Sequence, residues 1–65
     1  MLETHYISSP EIESIGYDLE TGDLVIRFRS GEEKKYADIS KETYVSLMQS
    51  GSKMKFVETL GEPLS

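Results

Sequence analysis

Apolar residues in this chain first recur at every second position and later at every third or fourth. Ile15 and Tyr17 lie two apart, on one face of a strand predicted over 12–19, and Gly16 between them suits a bulge or a close backbone approach. In Leu19-Glu20-Thr21-Gly22-Asp23, Gly22 supplies the tolerance of positive φ that tight hairpin connections need. Asp23-Leu24-Val25-Ile26-Arg27-Phe28-Arg29 then alternates cleanly, with Leu24, Ile26 and Phe28 on one face and Val25, Arg27 and Arg29 on the other. Ser30-Gly31-Glu32 offers a second turn, and Glu33 to Ala37 a third strand with Tyr36 inward and Lys35 outward. These segments predict a three-stranded antiparallel meander, whose apolar face needs a cover.

The rest of the chain changes period to supply that cover. Tyr44, Leu47 and Met48 recur at helical spacing over 41–50, with Ser40 placed to cap the start and Gly51 to end it. Ser52 is a second candidate cap, and Phe56 and Leu60, four apart with Val57 beside them, predict a short second helix to about Thr59; a final strand through Lys55-Phe56-Val57 is the alternative. The predicted fold is therefore α+β, a three-stranded antiparallel β-meander followed by one or two short α-helices packed on one face. Its expected core is Ile15, Tyr17, Leu24, Ile26, Phe28, Tyr36, Ile39, Tyr44, Leu47, Met48, Phe56 and Leu60. Residues 1–11 read as a leader that either joins the sheet edge or stays mobile, 12–60 as a single domain, and 61–65 as a frayed tail.

Composition narrows the function. With 65 residues, 12 of them acidic against 7 basic for a net charge of −5, the chain is one small acidic domain with few apolar residues to spare for a deep pocket. Cysteine is absent and His5 is the only imidazole, so thiolate nucleophiles, disulfides and a histidine-based metal shell or triad are ruled out. Glu11 with Glu13 and Glu32 with Glu33 are paired carboxylates without an apolar pocket to separate their pKa values, and Ser8, Ser9, Ser50 and Ser52 have no base beside them in sequence. The glycines are dispersed rather than clustered into a phosphate loop. These observations predict a non-enzyme with no cofactor and no metal. The start of the chain lacks the basic and apolar regions of a signal peptide, and no apolar run is long enough to span a bilayer, so the expectation is a cytoplasmic protein with no membrane partner.

Within this acidic chain the cations are patterned. Arg27 and Arg29 project from the face opposite Leu24, Ile26 and Phe28, and Lys35 joins them from the neighbouring strand, making a local surface suited to phosphates or an acidic partner. Lys53 and Lys55, beside Ser52 at a helix start, are the second candidate group. The competing reading pairs these side chains with acidic neighbours across strands. Tyr17 and Tyr44 fit amphipathic core positions whose hydroxyls reach a polar partner.

Four groups of residues in this order resemble the KTSC family: Ile15-Gly16-Tyr17-Asp18; Leu24-Val25-Ile26-Arg27-Phe28 with Gly31; Tyr36 and Ile39 leading to Tyr44; and Ser52-Lys53 with Lys55-Phe56. The resemblance spans roughly Ser9 to Leu60, a short domain found at the C-terminus of some lysyl-tRNA synthetases and alone in small bacterial and phage-type proteins. Lys34 stands where the family has the first aromatic of Tyr-x-Tyr, Ser40 where a proline commonly opens the helix, and Met54 where glycine is usual, a position that would be strained if its φ were positive. The family is uncharacterised, and what the resemblance implies is RNA, or an RNA-associated protein, as the partner of a small binding module. The alternative is a protein-interaction module or homodimer that uses an exposed sheet edge, with Val25 as the one apolar side chain facing outward.

Overall fold

In the computed structural model, which describes residues 2–61, the elements run β1 (Glu3–Tyr6), β2 (Ile12–Asp18), β3 (Asp23–Phe28), β4 (Glu33–Tyr36), α1 (Lys41–Gln49) and α2 (Lys53–Glu58). The sheet has four antiparallel strands in the order β1-β2-β3-β4, one more than the alternation predicts. The added strand is β1, so the leader joins the sheet edge. All of its residues are exposed, which is why it leaves no apolar period in the sequence. The last apolar segment is helix, not strand. Of the tail expected to fray over 61–65, only Gly61 lies within the described residues.

The helix side of the sheet holds the core. Ile12, Ile15, Tyr17, Leu24, Ile26, Phe28 and Tyr36 meet Leu47 and Val57 there, while Ile39, Tyr44, Met48, Phe56 and Leu60 are half-buried around them. Two residues differ from the expected core. Ile12 is fully buried because the β2–β3 register slips between Ile12, opposite Phe28, and Ser14, opposite Arg27; the bulge turns Ile12 and Ile15, three apart, to the same face. Val57, rather than Phe56 or Leu60, is the α2 side chain most deeply buried. At Gly16 the ladder is regular, and the glycine allows a close approach: a Cβ there would lie 3.0 Å from the Leu2 side chain and 3.2 Å from the Thr4 hydroxyl, both exposed side chains that would have to give way.

Turns and caps fix where the helices begin. Asp18 accepts the Glu20 N–H on its carboxylate at 2.9 Å and the Gly22 N–H on its carbonyl at 2.7 Å, closing the β2–β3 hairpin with Gly22 at φ 79°. The tip of this hairpin grips the lead-in to α1. The Ile39 N–H donates to the Gly22 carbonyl at 2.9 Å, and the Ile39 carbonyl accepts the Tyr17 hydroxyl at 2.6 Å. Asp38, with φ 57° the only non-glycine among the described residues at positive φ, turns the chain into that position. One residue after Ile39, Ser40 accepts the Thr43 N–H at 3.1 Å as the cap of α1. Ser52 makes no corresponding side-chain bond, so α2 lacks the predicted cap, and Met54 lies within α2 at ordinary negative φ. Tyr17 also stacks on Tyr44, with ring centroids 4.3 Å apart and planes 9° from parallel, which joins β2 directly to α1.

Two tests follow from this packing. A methyl group at Gly22 would meet the Ile39 nitrogen and oxygen, each at 3.2 Å, on a backbone already at positive φ. Gly22→Ala is expected to cost about 1–3 kcal/mol, and thermal unfolding should show a Tm lower by roughly 5–20 °C. Burial raises the Tyr36 phenol above its ordinary pKa; burial, then the Glu3 carboxylate and Tyr17, raise Tyr44. Below pH about 10 both phenols are protonated in the folded and unfolded chains alike, so their contribution is fully present. Above that the unfolded chain ionises first, and stability falls as pH rises through the folded pKa values. A series of melts from pH 8 to 11.5 should show a Tm flat at the low end and declining steeply above about 10, less steeply in a Tyr36→Phe/Tyr44→Phe variant.

Candidate nucleic-acid interface

With both helices on one side, the outer face of the sheet is left open, and the registers say which side chains share it. Tyr6 pairs with Ser14, Ser14 with Arg27, and Arg27 with Glu33, a row that crosses all strands. The adjacent row is Thr4, Gly16, Val25 and Lys35. At a strand spacing of about 4.8 Å, Tyr6 and Arg27 stand roughly 10 Å apart across Ser14, and Lys35 is the diagonal neighbour of Arg27 at roughly 7–8 Å. Leu2 lies over Gly16. All of these residues except Lys35 line a shallow depression of about 270 Å³.

Tyr6, Arg27 and Lys35 on this face are accessible, whereas Ser14, between Tyr6 and Arg27, is buried. Tyr6 is 79% exposed, its phenol ring open to solvent. Arg27 makes a 3.2 Å ion pair with Glu33 in which both side chains remain substantially exposed, so the contact is solvent-screened and exchangeable. Lys35 is exposed opposite half-buried Val25.

The structure does not gather the five cations singled out by sequence. Arg27 and Lys35 share the open face as the alternation predicts. Arg29 is drawn to one end, where its Nε donates to the Ser9 carbonyl at 2.6 Å and its Nη2 to the Ile7 carbonyl at 3.1 Å, so its guanidinium ties the β1–β2 connection to the end of β3. Lys53 and Lys55 belong to α2, on the opposite side of the sheet. Lys53 donates from Nζ to the Ser50 carbonyl at 3.0 Å, satisfying an acceptor just past the end of α1. Lys34 faces the helix side, its ammonium 5.5 Å from the Phe28 ring centre.

Tyr6 is the face residue that sequence reasoning missed, and with it Leu2. Val25 is thus not the sole apolar side chain facing outward. The available signal was local: Thr4 and Tyr6, two apart, are both good strand formers. Nothing in composition made that short run stand out. Among the described residues no cluster of His, Cys, Asp or Glu could hold a metal ion, and no helix is long and apolar enough to cross a membrane.

Comparison with known proteins matches the fold. The crystal structure of a KTSC domain protein from Yersinia pestis superposes with a TM-score of 0.86 at 29% sequence identity, covering 98% of this chain and 93% of that one. No curated protein matches the chain. The model of the KTSC domain matches residues 8–60, from the β1–β2 connection through α2, and leaves β1 outside. On that match, which takes in most of its length, the chain belongs to the KTSC domain family.

Proposed function

We propose that the chain is a non-enzymatic binding module whose open sheet face takes a short stretch of single-stranded RNA. The observation that carries the reading is the row Tyr6, Ser14, Arg27: an exposed aromatic and an exchangeable guanidinium on neighbouring parts of an uncovered antiparallel sheet. Single-stranded nucleic acids are held by stacking unpaired bases on aromatic rings while cations meet the phosphates, and an open sheet spreads both over a surface. Here Tyr6 is the stacking ring, and Arg27 and Lys35 are the phosphate contacts. Val25 and Leu2 supply an apolar floor beneath the sugars and base edges.

Charge sets the strength. With a net charge of −5 the chain has no long-range attraction for a polyanion, so affinity rests on stacking and on the local pair of cations. Glu33 competes for Arg27, and a phosphate must displace it. The ligand is accordingly a few nucleotides long, bound weakly and with a shallow salt dependence.

A titration of labelled protein with a short oligouridylate, followed by amide NMR at 20 and 200 mM salt, tests this. Expected shifts cluster at Tyr6, Ser14, Val25, Arg27 and Lys35, with a log–log salt slope near −1.4 for two phosphates. Tyr6→Ala is expected to weaken binding about tenfold and Arg27→Ala to reduce the slope by about 0.7, whereas Glu33→Gln should tighten binding several-fold by releasing Arg27. Shifts centred instead on Lys53 and Lys55, or none at 20 mM salt, would overturn the assignment.

A further inference from the structure

The two edges of the sheet differ in how they resist pairing. β4 closes one side and carries Lys34 and Lys35 within four residues, whereas β1 closes the other with Glu-Thr-His-Tyr and neither lysine nor proline. Charged side chains, lysine above all, and proline are the ordinary protection of an exposed edge. Every β1 residue is exposed, and β2 is its only strand partner among the described residues.

The phase of the ladder says which groups are free. The Ile7 N–H donates to the Glu13 carbonyl, so by alternation His5 and Glu3 bond to β2 while the N–H and C=O of Thr4 and Tyr6, and of Leu2 one step further, point away from it. We propose that this edge pairs with a second copy of the chain, antiparallel about a two-fold axis through Thr4. In that register Thr4 faces Thr4 of the second copy, Leu2 faces Tyr6, and Glu3 faces His5. The free backbone groups of all three even-numbered residues are then satisfied together. Leu2 and Tyr6, 42% and 79% exposed in the single chain, come into contact on the open face, and the Glu3 carboxylate meets an imidazole on the helix side.

The same operation fails at β4. There the Phe28 N–H donates to the Glu32 carbonyl, so the free groups belong to Glu33 and Lys35. A two-fold centred on 33 sets Glu against Glu and one centred on 35 sets Lys against Lys, while one centred on 34 sets Lys34 against its own copy between two Glu33–Lys35 pairs. The β1 register sets no like charge opposite itself, and its product is a sheet of twice the width with all helices on one side. This inference rests on the backbone edge rather than on the RNA reading, but it draws on two of the same side chains, Tyr6 and Leu2, so its test is made without nucleic acid.

Sedimentation equilibrium without nucleic acid, over roughly 10 µM to 1 mM protein, is expected to show a monomer giving way to a dimer. Amide exchange over the same range should slow at Thr4 and Tyr6 and stay unchanged at Lys35. Thr4→Pro removes an N–H that makes no bond within the chain, and should raise the dimer Kd at least about tenfold with the melt preserved; Lys35→Pro, the matching change on β4, should leave it unaltered. Tyr6→Asp, at an exposed side chain, gives the same loss should the proline disturb β1. A strict monomer at 1 mM, protection at Lys35 in place of Thr4 and Tyr6, or a Tyr6→Asp dimer as tight as the parent would overturn the proposal.

Discussion

The backbone of one residue, Ile39, joins the two layers of this domain. Ile39 is held through its N–H by the Gly22 carbonyl and through its carbonyl by the Tyr17 hydroxyl, so the segment leaving β4 is pinned to the opposite hairpin before α1 begins. The geometry then propagates. Gly22 closes the hairpin at positive φ and, having no Cβ, lets the Ile39 backbone approach, Asp38 takes the left-handed conformation that directs the chain there, and Ser40 caps the helix immediately afterwards. With α1 started at that point, Tyr44 falls on Tyr17 and Leu47 is buried in the core. A domain this small has little area to bury, so two well-placed hydrogen bonds and one ring stack carry a large share of its specificity.

Because the helices are anchored to one side, the other side stays uncovered, and the cations divide accordingly. Arg29 and Lys53 act as internal donors to backbone carbonyls at chain connections. Arg27 and Lys35 remain on the open face with Tyr6. Residues of one charge class, adjacent in sequence, therefore do different work according to whether an unsatisfied carbonyl lies within reach.

Much of this was legible in the order of residues. The alternation from Asp23 to Phe28, glycines at the hairpins, and the spacing of Tyr44, Leu47 and Met48 announce β2 to β4 and α1, because burial on one face imposes period on the side chains. β1 was legible only as one of two alternatives for the leader, since a strand held by backbone bonds and exposed on both faces needs no apolar period. Its omission concealed Tyr6, and with it the aromatic on the open face. Ile12 was hidden by the bulge, which breaks parity at the point where parity is being read. Ser40 and Ser52 look alike in sequence, yet only Ser40 caps, because capping depends on the backbone angles of the approach as well as on the hydroxyl. α2, a helix of six residues ending at Glu58, is too short for spacing alone to choose among Phe56, Val57 and the following Leu60.

The Arg29 latch bears on how this molecule opens. β1 buries none of its side chains, so releasing it exposes little apolar surface and costs only its ladder bonds, at about 0.5–1.5 kcal/mol each, plus the two guanidinium bonds that hold the adjoining loop. The remaining strands and helices keep the whole buried core when it leaves. β1 is thus a separate, low-stability unit hinged at the Ile7 to Ser9 carbonyls, and hydrogen exchange within it proceeds by local rather than global opening. Tyr6 travels with it. Any ligand that needs that ring selects the docked strand, and its apparent affinity is scaled by the fraction of molecules in which Arg29 holds the latch closed.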